Sequence, residues 1–323
     1  MTTTNTNNTA GEPKFSVIIP CWNSSATLRE TLESVASQTY LDWEALIVDD
    51  GSTDETASII LEYANRDRRF KLLASDHKGP SFARNLACLT HARGQYLAFL
   101  DSDDLWKPEK LKHTLSYFAA NEKVDGVYAQ IAFFRTSRLN PETYSNVYEG
   151  ILAPIDFLRD NPVCTMSNLV IKTATFRRFN GFDESIIHNE DVEFLVRASA
   201  RGVRIEGMNE NLVSYRTSLT GLSSNIEKMR AGWFKAIEAL QSTPARLTSQ
   251  EIADADAGNL RYLARRALRT GAPGLEPLRL AVHGLSRSPL SFLNPPWRGG
   301  MTLLGAVASP LLPKSIRKLA FSR

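Results

Sequence analysis

The chain has 323 residues, 43% of them hydrophobic and 23% charged. That composition excludes a disordered or fibrous protein and suits roughly two domains, or one large α/β domain with an appendage. Three scattered cysteines, Cys21, Cys88 and Cys164, form no CxxC pair, which excludes a disulfide scaffold or cysteine-zinc site and points to a reducing cytosol. The net charge of +3 hides an asymmetry: residues 261–323 hold eleven Lys and Arg against the single acid Glu276, leaving 27 basic and 34 acidic residues in 1–260. An acidic body therefore carries a basic tail suited to an anionic partner.

Residues 1–13 open with threonine and asparagine, lack the basic start and apolar run of a signal peptide, and read as a disordered segment. Phe15 to Pro20 is a short β-branched run. Leu28, Leu32, Val35 and Ala36 then fall at helical spacing, so 26–38 reads as an amphipathic helix. Strands follow at 45–48, 70–73 and 95–100, with helices at about 54–65 and 81–91 between them. This alternation predicts a parallel sheet with helices on both faces. Beyond Pro108 the pattern loosens: a helix at about 109–120, strands at 126–134, 167–171 and 212–216, and a helix over 190–201. Residues 135–166 carry no readable pattern. From Ile226 the chain reads as helical, with breaks near 243–248 and 271–274. The longest apolar stretch, Met301 to Leu312, spans twelve residues with a proline inside, short of the ~20 that a transmembrane helix needs.

Ligands of open parallel sheets bind beyond the carboxyl ends of the strands. Two such ends carry acids: Asp49 and Asp50 after the second strand, and Asp101, Asp103 and Asp104 after the fourth. Crowded like charges ask for a cation. With no Cys or His cluster beside them, the carboxylates suit Mg²⁺ or Mn²⁺, which usually complete their shells with substrate phosphates. A nucleotide diphosphate is the natural inference. Neither a G-x-G-x-x-G fingerprint nor a G-x-x-x-x-G-K-[ST] loop is present, and a receiver domain would leave the second acid cluster unexplained.

Segments in order, Ser16–Asn23, Ser34–Thr39, Ile47–Asp54, Gly79–Asn85, Tyr96–Asp104, and then Gly181–Glu184 with Asn189–Asp191, resemble a family 2 glycosyltransferase with the GT-A fold, over roughly residues 14–222. The resemblance implies that Pro20, Trp22 and Asn23 line the base pocket, with Trp22 stacking on the nucleobase. It places Asp50, rather than Asp49, on the base edge or ribose, and Arg84 near the donor's sugar and phosphates. In the Asp101-Ser102-Asp103 turn, Asp101 faces the ribose or sugar and Asp103 binds the metal. Asp191 is the implied catalytic base, with Glu190 a candidate for acceptor contact. Tyr215–Ser223 resembles a late family segment, but Ser218 stands where a histidine is usual. That puts one metal or diphosphate contact in doubt, for which Arg216 or Thr217 is a substitute and His188 a weaker one.

Bland readings stand beside these: the Asp-Asp-Gly-Ser turn as helix-cap chemistry, Asp104 as a loop acid, and the other histidines as solvated or satisfied residues. The resulting expectation is a cytoplasmic, metal-dependent, inverting transferase, with a GT-A domain over 14–225 and a basic helical region over 226–323. It would take a nucleotide-sugar donor, UDP-linked by preference, and a saccharide or lipid-linked acceptor, in cell-surface polysaccharide or glycolipid synthesis. An anionic membrane surface is a further expected partner; nucleic acid is not. The alternatives are a degenerate relative acting as a membrane-bound binding or assembly module and a sugar nucleotidyltransferase, although the latter's Gly- and Arg/Lys-rich loop after the first strand is missing.

Overall fold

The expected alternation of buried strands and amphipathic helices is present in the computed structural model, which describes residues 11–218, 225–272 and 275–312. It runs β1 (Phe15–Cys21), α1 (Leu28–Ala36), β2 (Trp43–Asp49), α2 (Thr56–Arg66), β3 (Phe70–Ala74), α3 (Pro80–Asn85) continued by a π-helical turn at Leu86–His91, and β4 (Tyr96–Phe99). These four strands pair in the order β3-β2-β1-β4, all parallel. Their residues are apolar on both sides because both faces are covered. Ile18, Leu46 and Val48 feed one core, while Val17, Ile19, Ala45 and Ile47 feed the other. The order reverses between β1 and β4, so a crevice opens beyond Cys21 and Leu100.

The chain continues through β5 (Leu105–Trp106), α4 (Lys110–Ala120), β6 (Gly126–Phe134), β7 (Thr143–Tyr144), α5 (Pro154–Arg159), β8 (Val170–Lys172), α6 (Thr173–Arg178), α7 (Glu190–Ser199) and β9 (Ile205–Arg216). Here the sheet is mixed: β8 runs antiparallel to β4 and β6, and β9 runs parallel to β6. Strand β9 begins seven residues before the expected Leu212. Its register slips at Ala129 to Ile131 of β6, where Gly207 and the polar Asn209 and Glu210 break the strand alternation. The expected strand at 167 starts instead at Val170, after a short 3-10 turn at Met166–Asn168. The unpatterned stretch 135–166 contains β7 and α5.

The expected breaks divide the last part into α8 (Ile226–Gln241), α9 (Ser249–Thr270), α10 (Glu276–Arg287), α11 (Pro289–Leu293) and α12 (Pro296–Ala308). Helix α9 opens with a Thr248–Glu251 capping box and closes on Gly271 in the left-handed region. The anticipated boundary at 225 does not separate two cores, because Trp233, Ala236, Leu240 and Ala255 pack in the same cluster as Phe99, Phe176 and Phe194. Further on, Phe292 holds α9 to α12 around Ala257, Ala264, Ala281 and Ala306. Helix α12 is inverted: Gly299, Thr302, Gly305 and Ala306 face inward, whereas Trp297, Met301, Leu304 and Val307 are each more than half exposed. Residues 1–10, the 219–223 part of the late family-like segment, and the basic tail from 313 lie outside the described residues.

Candidate active site

The donor-side wall is made by turns after β1 and β2 that clasp one another. Asn23 adopts a positive φ of 48°. Its N–H donates to Ser52 Oγ at 2.9 Å and its Oδ1 accepts the Thr53 N–H at 2.8 Å. Asp54 accepts the Ser25 and Thr56 N–H groups, both at 3.0 Å. Asp50, 4% exposed, accepts the Lys78 N–H at 2.9 Å and the Gly79 N–H at 2.7 Å. Asn23 and Asp50 thus shape the wall, and Asp50 still has carboxylate lone pairs for a ligand. Pro20 is half-buried at the end of β1. Trp22 is 54% exposed and lies against His77, ring centroids 4.7 Å apart, so His77 is part of the aromatic surface rather than an idle polar residue.

The acid loop after β4 is fixed from below. Thr27 and Thr31 hydroxyls donate to the Ser102 carbonyl at 2.9 and 3.0 Å. Asp104 is fully buried and accepts the Arg216 N–H at 2.9 Å and the Ser167 hydroxyl, which is the work of a loop acid. Arg216 braces the same loop, donating from Nε to the Asp103 carbonyl at 3.0 Å and from Nη2 to Glu30 at 2.7 Å. Among the described residues, no other residue hydrogen-bonds the Asp103 carboxyl, which has its own backbone N–H beside it. Burial, with the Asp101 charge beside it, pushes its carboxyl up to about 6.

Arg84 joins this loop to the opposite wall. Only 5% exposed, it donates from Nη2 to Asp101 at 2.7 Å and from Nη1 to Glu190 at 2.8 Å. Burial pushes Glu190 up to about 7, against the pull of Arg84 and with the push of Asp191. Asp191 is also raised, chiefly by burial, with the Val192 N–H and Arg84 opposing. It opens α7 behind Asn189, which sits at a left-handed φ of 62°. Asn189 donates to the Met229 carbonyl of α8 at 2.7 Å. The two segments touch so closely that a Cβ on Gly232 would fall 1.8 Å from the His188 carbonyl oxygen. The His188 ring is buried with its pKa lowered by that burial and by Lys228.

Two contributors come from the stretch without sequence pattern. Asn161 Nδ2 donates to Asp191 at 3.2 Å, and Thr165 Oγ donates to Asp101 at 3.2 Å. Only the Asn161-Pro162 turn signal hinted at either. Ser218, in the usual histidine position, accepts Arg266 Nη2 at its carbonyl, 2.9 Å away.

Among the described residues, no group of three or more His, Cys, Asp or Glu side chains could enclose a metal ion. The residues nevertheless fit an ion shared with a substrate. Asp103 is a half-buried oxygen ligand held near a second carboxylate, and among the described residues no other residue hydrogen-bonds it; Mg²⁺-type ions commonly take one or two carboxylates plus phosphate oxygens.

The sequence model described as glycosyl transferase family 2 matches residues 16–183. The putative teichuronic acid biosynthesis glycosyltransferase TuaG of Bacillus subtilis (strain 168) is 32% identical over 231 residues, 69% of this chain and 87% of that one. The UDP-Glc:alpha-D-GlcNAc-diphosphoundecaprenol beta-1,3-glucosyltransferase WfgD of Escherichia coli is 30% identical over 224 residues, 68% of this chain and 83% of that one. Among solved structures, S. aureus TarS 1-349 in complex with UDP-GlcNAc superposes with a TM-score of 0.65 at 20% identity, covering 96% of this chain and 90% of that one. The mannosyltransferase PcManGT from Pyrobaculum calidifontis in complex with GDP-Man and Mn2+ gives a TM-score of 0.60 at 18% identity, covering 96% and 88%. At such identities the likeness speaks for the fold alone, and its extent takes in the helices after 226.

Proposed function

Because the chain belongs to glycosyl transferase family 2 and has the GT-A fold, we propose that it is an inverting enzyme. It moves a sugar from a nucleotide diphosphate, UDP by preference, to a hydroxyl of a saccharide or lipid-linked acceptor in cell-surface polysaccharide or glycolipid synthesis. The observation that carries this reading is the Arg84 bridge. One buried cation holds Asp101, on the donor side, and Glu190, the neighbour of the base, at 2.7 and 2.8 Å.

Asp191 removes the proton of the acceptor hydroxyl as that oxygen attacks the anomeric carbon in line with the departing diphosphate. Its raised pKa brings the carboxylate nearer the working pH, where a general base is most effective. Asn161 fixes the orientation of Asp191, Arg84 keeps Asp101 and Glu190 from repelling one another, and Trp22 offers its face to the nucleobase. Asp103, with Asp101 beside it, would hold Mn²⁺ or Mg²⁺, a Lewis acid that neutralises charge on the leaving diphosphate. Incubation with UDP-sugars and an acceptor panel tests the reading: released UDP and a product of inverted configuration support it. Released pyrophosphate would make the protein a nucleotidyltransferase, and release of neither would leave a binding module. Activity that survives both Asp103→Asn and EDTA would remove the metal.

The same reading sets the enzyme on the inner, anionic face of the plasma membrane. No helix among the described residues is long and apolar enough to cross a membrane, but the outward face of α12 is apolar throughout. That face lies in the segment 261–323, which holds eleven basic residues and one acid. Apolar side chains can enter the headgroup boundary while each nearby cation adds ~1 kcal/mol on anionic lipid. Sedimentation with vesicles checks this: binding should need anionic lipid, weaken with salt, and be lost on Met301→Glu/Leu304→Glu. Equal binding to neutral vesicles would refute the electrostatic part.

A further inference from the structure

Resting on the transferase reading, we propose that one face of α9 binds a phosphate or diphosphate group carried by the acceptor. Tyr262, Arg265, Arg266 and Arg269 form that face, and Arg298 of α12 joins them. The spacing i, i+3, i+4, i+7 puts the four α9 side chains on one side of the helix. Two contacts locate that side in the molecule. Arg261 Nη2 donates to Asp160 at 3.0 Å, and the next residue, Asn161, holds Asp191. Arg266 Nη2 donates to the Ser218 carbonyl at 2.9 Å, two residues after Arg216, the brace of Asp103 and Asp104. The face therefore borders the space between the base and the acid loop. Tyr262 is 43% exposed, and its phenol is raised by burial, with Arg266 opposing and the Asp191 charge adding to the rise.

Three of the cations here differ in their pairing from their neighbours. Arg230 and Arg287 pair with Asp256, and Arg261 pairs with Asp160. Arg265, Arg269 and Arg298 make no ion pair among the described residues, and the buried Nε of Arg298 has no partner. Burial, and then the charges of Arg269, Arg298 and Arg261, push the Arg265 guanidinium down to about 10. Half-buried arginines crowded together, with Asp160 and Glu142 near but in no ion pair with Arg265 or Arg269, cost free energy unless an anion meets them. Phosphate oxygens match the guanidinium fork in charge and geometry. A sugar held by its own phosphate would present a hydroxyl toward Asp191, so the acceptor class is a glycosyl phosphate or diphosphate.

The test compares a hexose 1-phosphate with the matching methyl hexoside, each titrated into the full chain saturated with UDP and Mn²⁺. The phosphate ester should bind about tenfold tighter or more, the scale of a charge-assisted contact. The gap should close in Arg265→Ala/Arg269→Ala and persist in Arg265→Lys/Arg269→Lys, with UDP affinity unchanged in both. Equal affinities for the two probes in the parent chain, or a gap that survives the alanine pair, would overturn the proposal. So would a double alanine variant that loses binding to phosphatidylglycerol vesicles while keeping the gap, since the face would then read lipid headgroups. If the parent chain fails to bind UDP, the donor reading falls instead, and the gap is still measurable on the free protein.

Discussion

On the donor wall, polar groups from neighbouring turns satisfy one another: Asn23 with Ser52 and Thr53, Asp54 with Ser25 and Thr56, Asp50 with Lys78 and Gly79. On the acceptor wall, the loop before Asp191 is tied to α3 by Ser81 on the Ile186 carbonyl and Asn85 on Glu184, and to α8 by Asn189 and the close approach of Gly232 to His188. The donor turns are fixed by hydrogen bonds to one another, and the acceptor loop by hydrogen bonds together with a close helix contact. The contrast teaches that Asp191 depends on α8, which carries no family motif, whereas the donor turns are held largely by residues of the motif segments themselves.

The sharpest way to separate the walls is Asp191→Asn. Turnover should fall by ~10²–10⁴-fold while UDP affinity, measured by titration calorimetry, is unchanged. In the parent enzyme, the acid limb of kcat/KM should lie above the ordinary carboxylate value of 3.8, since burial raises Asp191; activity falls as pH drops through that raised pKa. An unaltered rate would pass the role of base to Glu190.

Gly232→Ala should come next. Its Cβ would meet the His188 carbonyl at 1.8 Å, so α8 or the loop must move, and displacement near 1 Å can cost ~10²-fold in rate. Steady-state kinetics should show lower kcat with UDP affinity retained. Loss of UDP binding as well would show that the walls are not independent.

Arg216→Ala strikes the donor wall, freeing the Asp103 carbonyl and Glu30. The donor KM should rise by roughly tenfold, the scale of lost charged hydrogen bonds. An unchanged donor KM would mean that Thr27, Thr31 and Ser167 suffice to hold the loop.

The smallest effect concerns the floor behind that loop. Lys110 is fully buried, donates from Nζ to the Asn168 carbonyl at 3.1 Å, and is pushed by burial from 10.5 down to about 7. Between these values the unfolded chain binds more protons than the folded one, so stability should rise as pH goes from 7 toward 10. Lys110→Met should abolish that rise in urea titrations without altering UDP affinity. A variant that keeps the same slope would assign the proton uptake elsewhere.

The donor wall was legible because turn chemistry is local: Asp-Asp-Gly-Ser-Thr and Asp-Ser-Asp-Asp announce both their bends and their acids, and the buried strands before them are unmistakable. The structure adds bracing contacts at two of the expected site residues, since Arg216 holds the acid loop and Asn23 clasps the neighbouring turn. The acceptor wall was largely illegible. Asn161 and Thr165 act through contacts with residues thirty and sixty-four positions away, and no periodicity marks such a meeting. Gly232 reads as a weak point in a helix until α7 is seen against it, and β9 hides behind a bulge. The four basic positions of α9 and α12 were visible only as net charge, because the side they share depends on how α9 docks.

The exposed indole of Trp22 gives the protein an optical signal of its own. Of five tryptophans, Trp43, Trp106 and Trp233 are buried while Trp22 and Trp297 are open to water. A nucleobase laid on Trp22 would quench its emission, whereas entry of Trp297 into lipid would shift emission to the blue. Donor occupancy and membrane contact could therefore be followed in one cuvette, without a label, as two spectrally distinct changes.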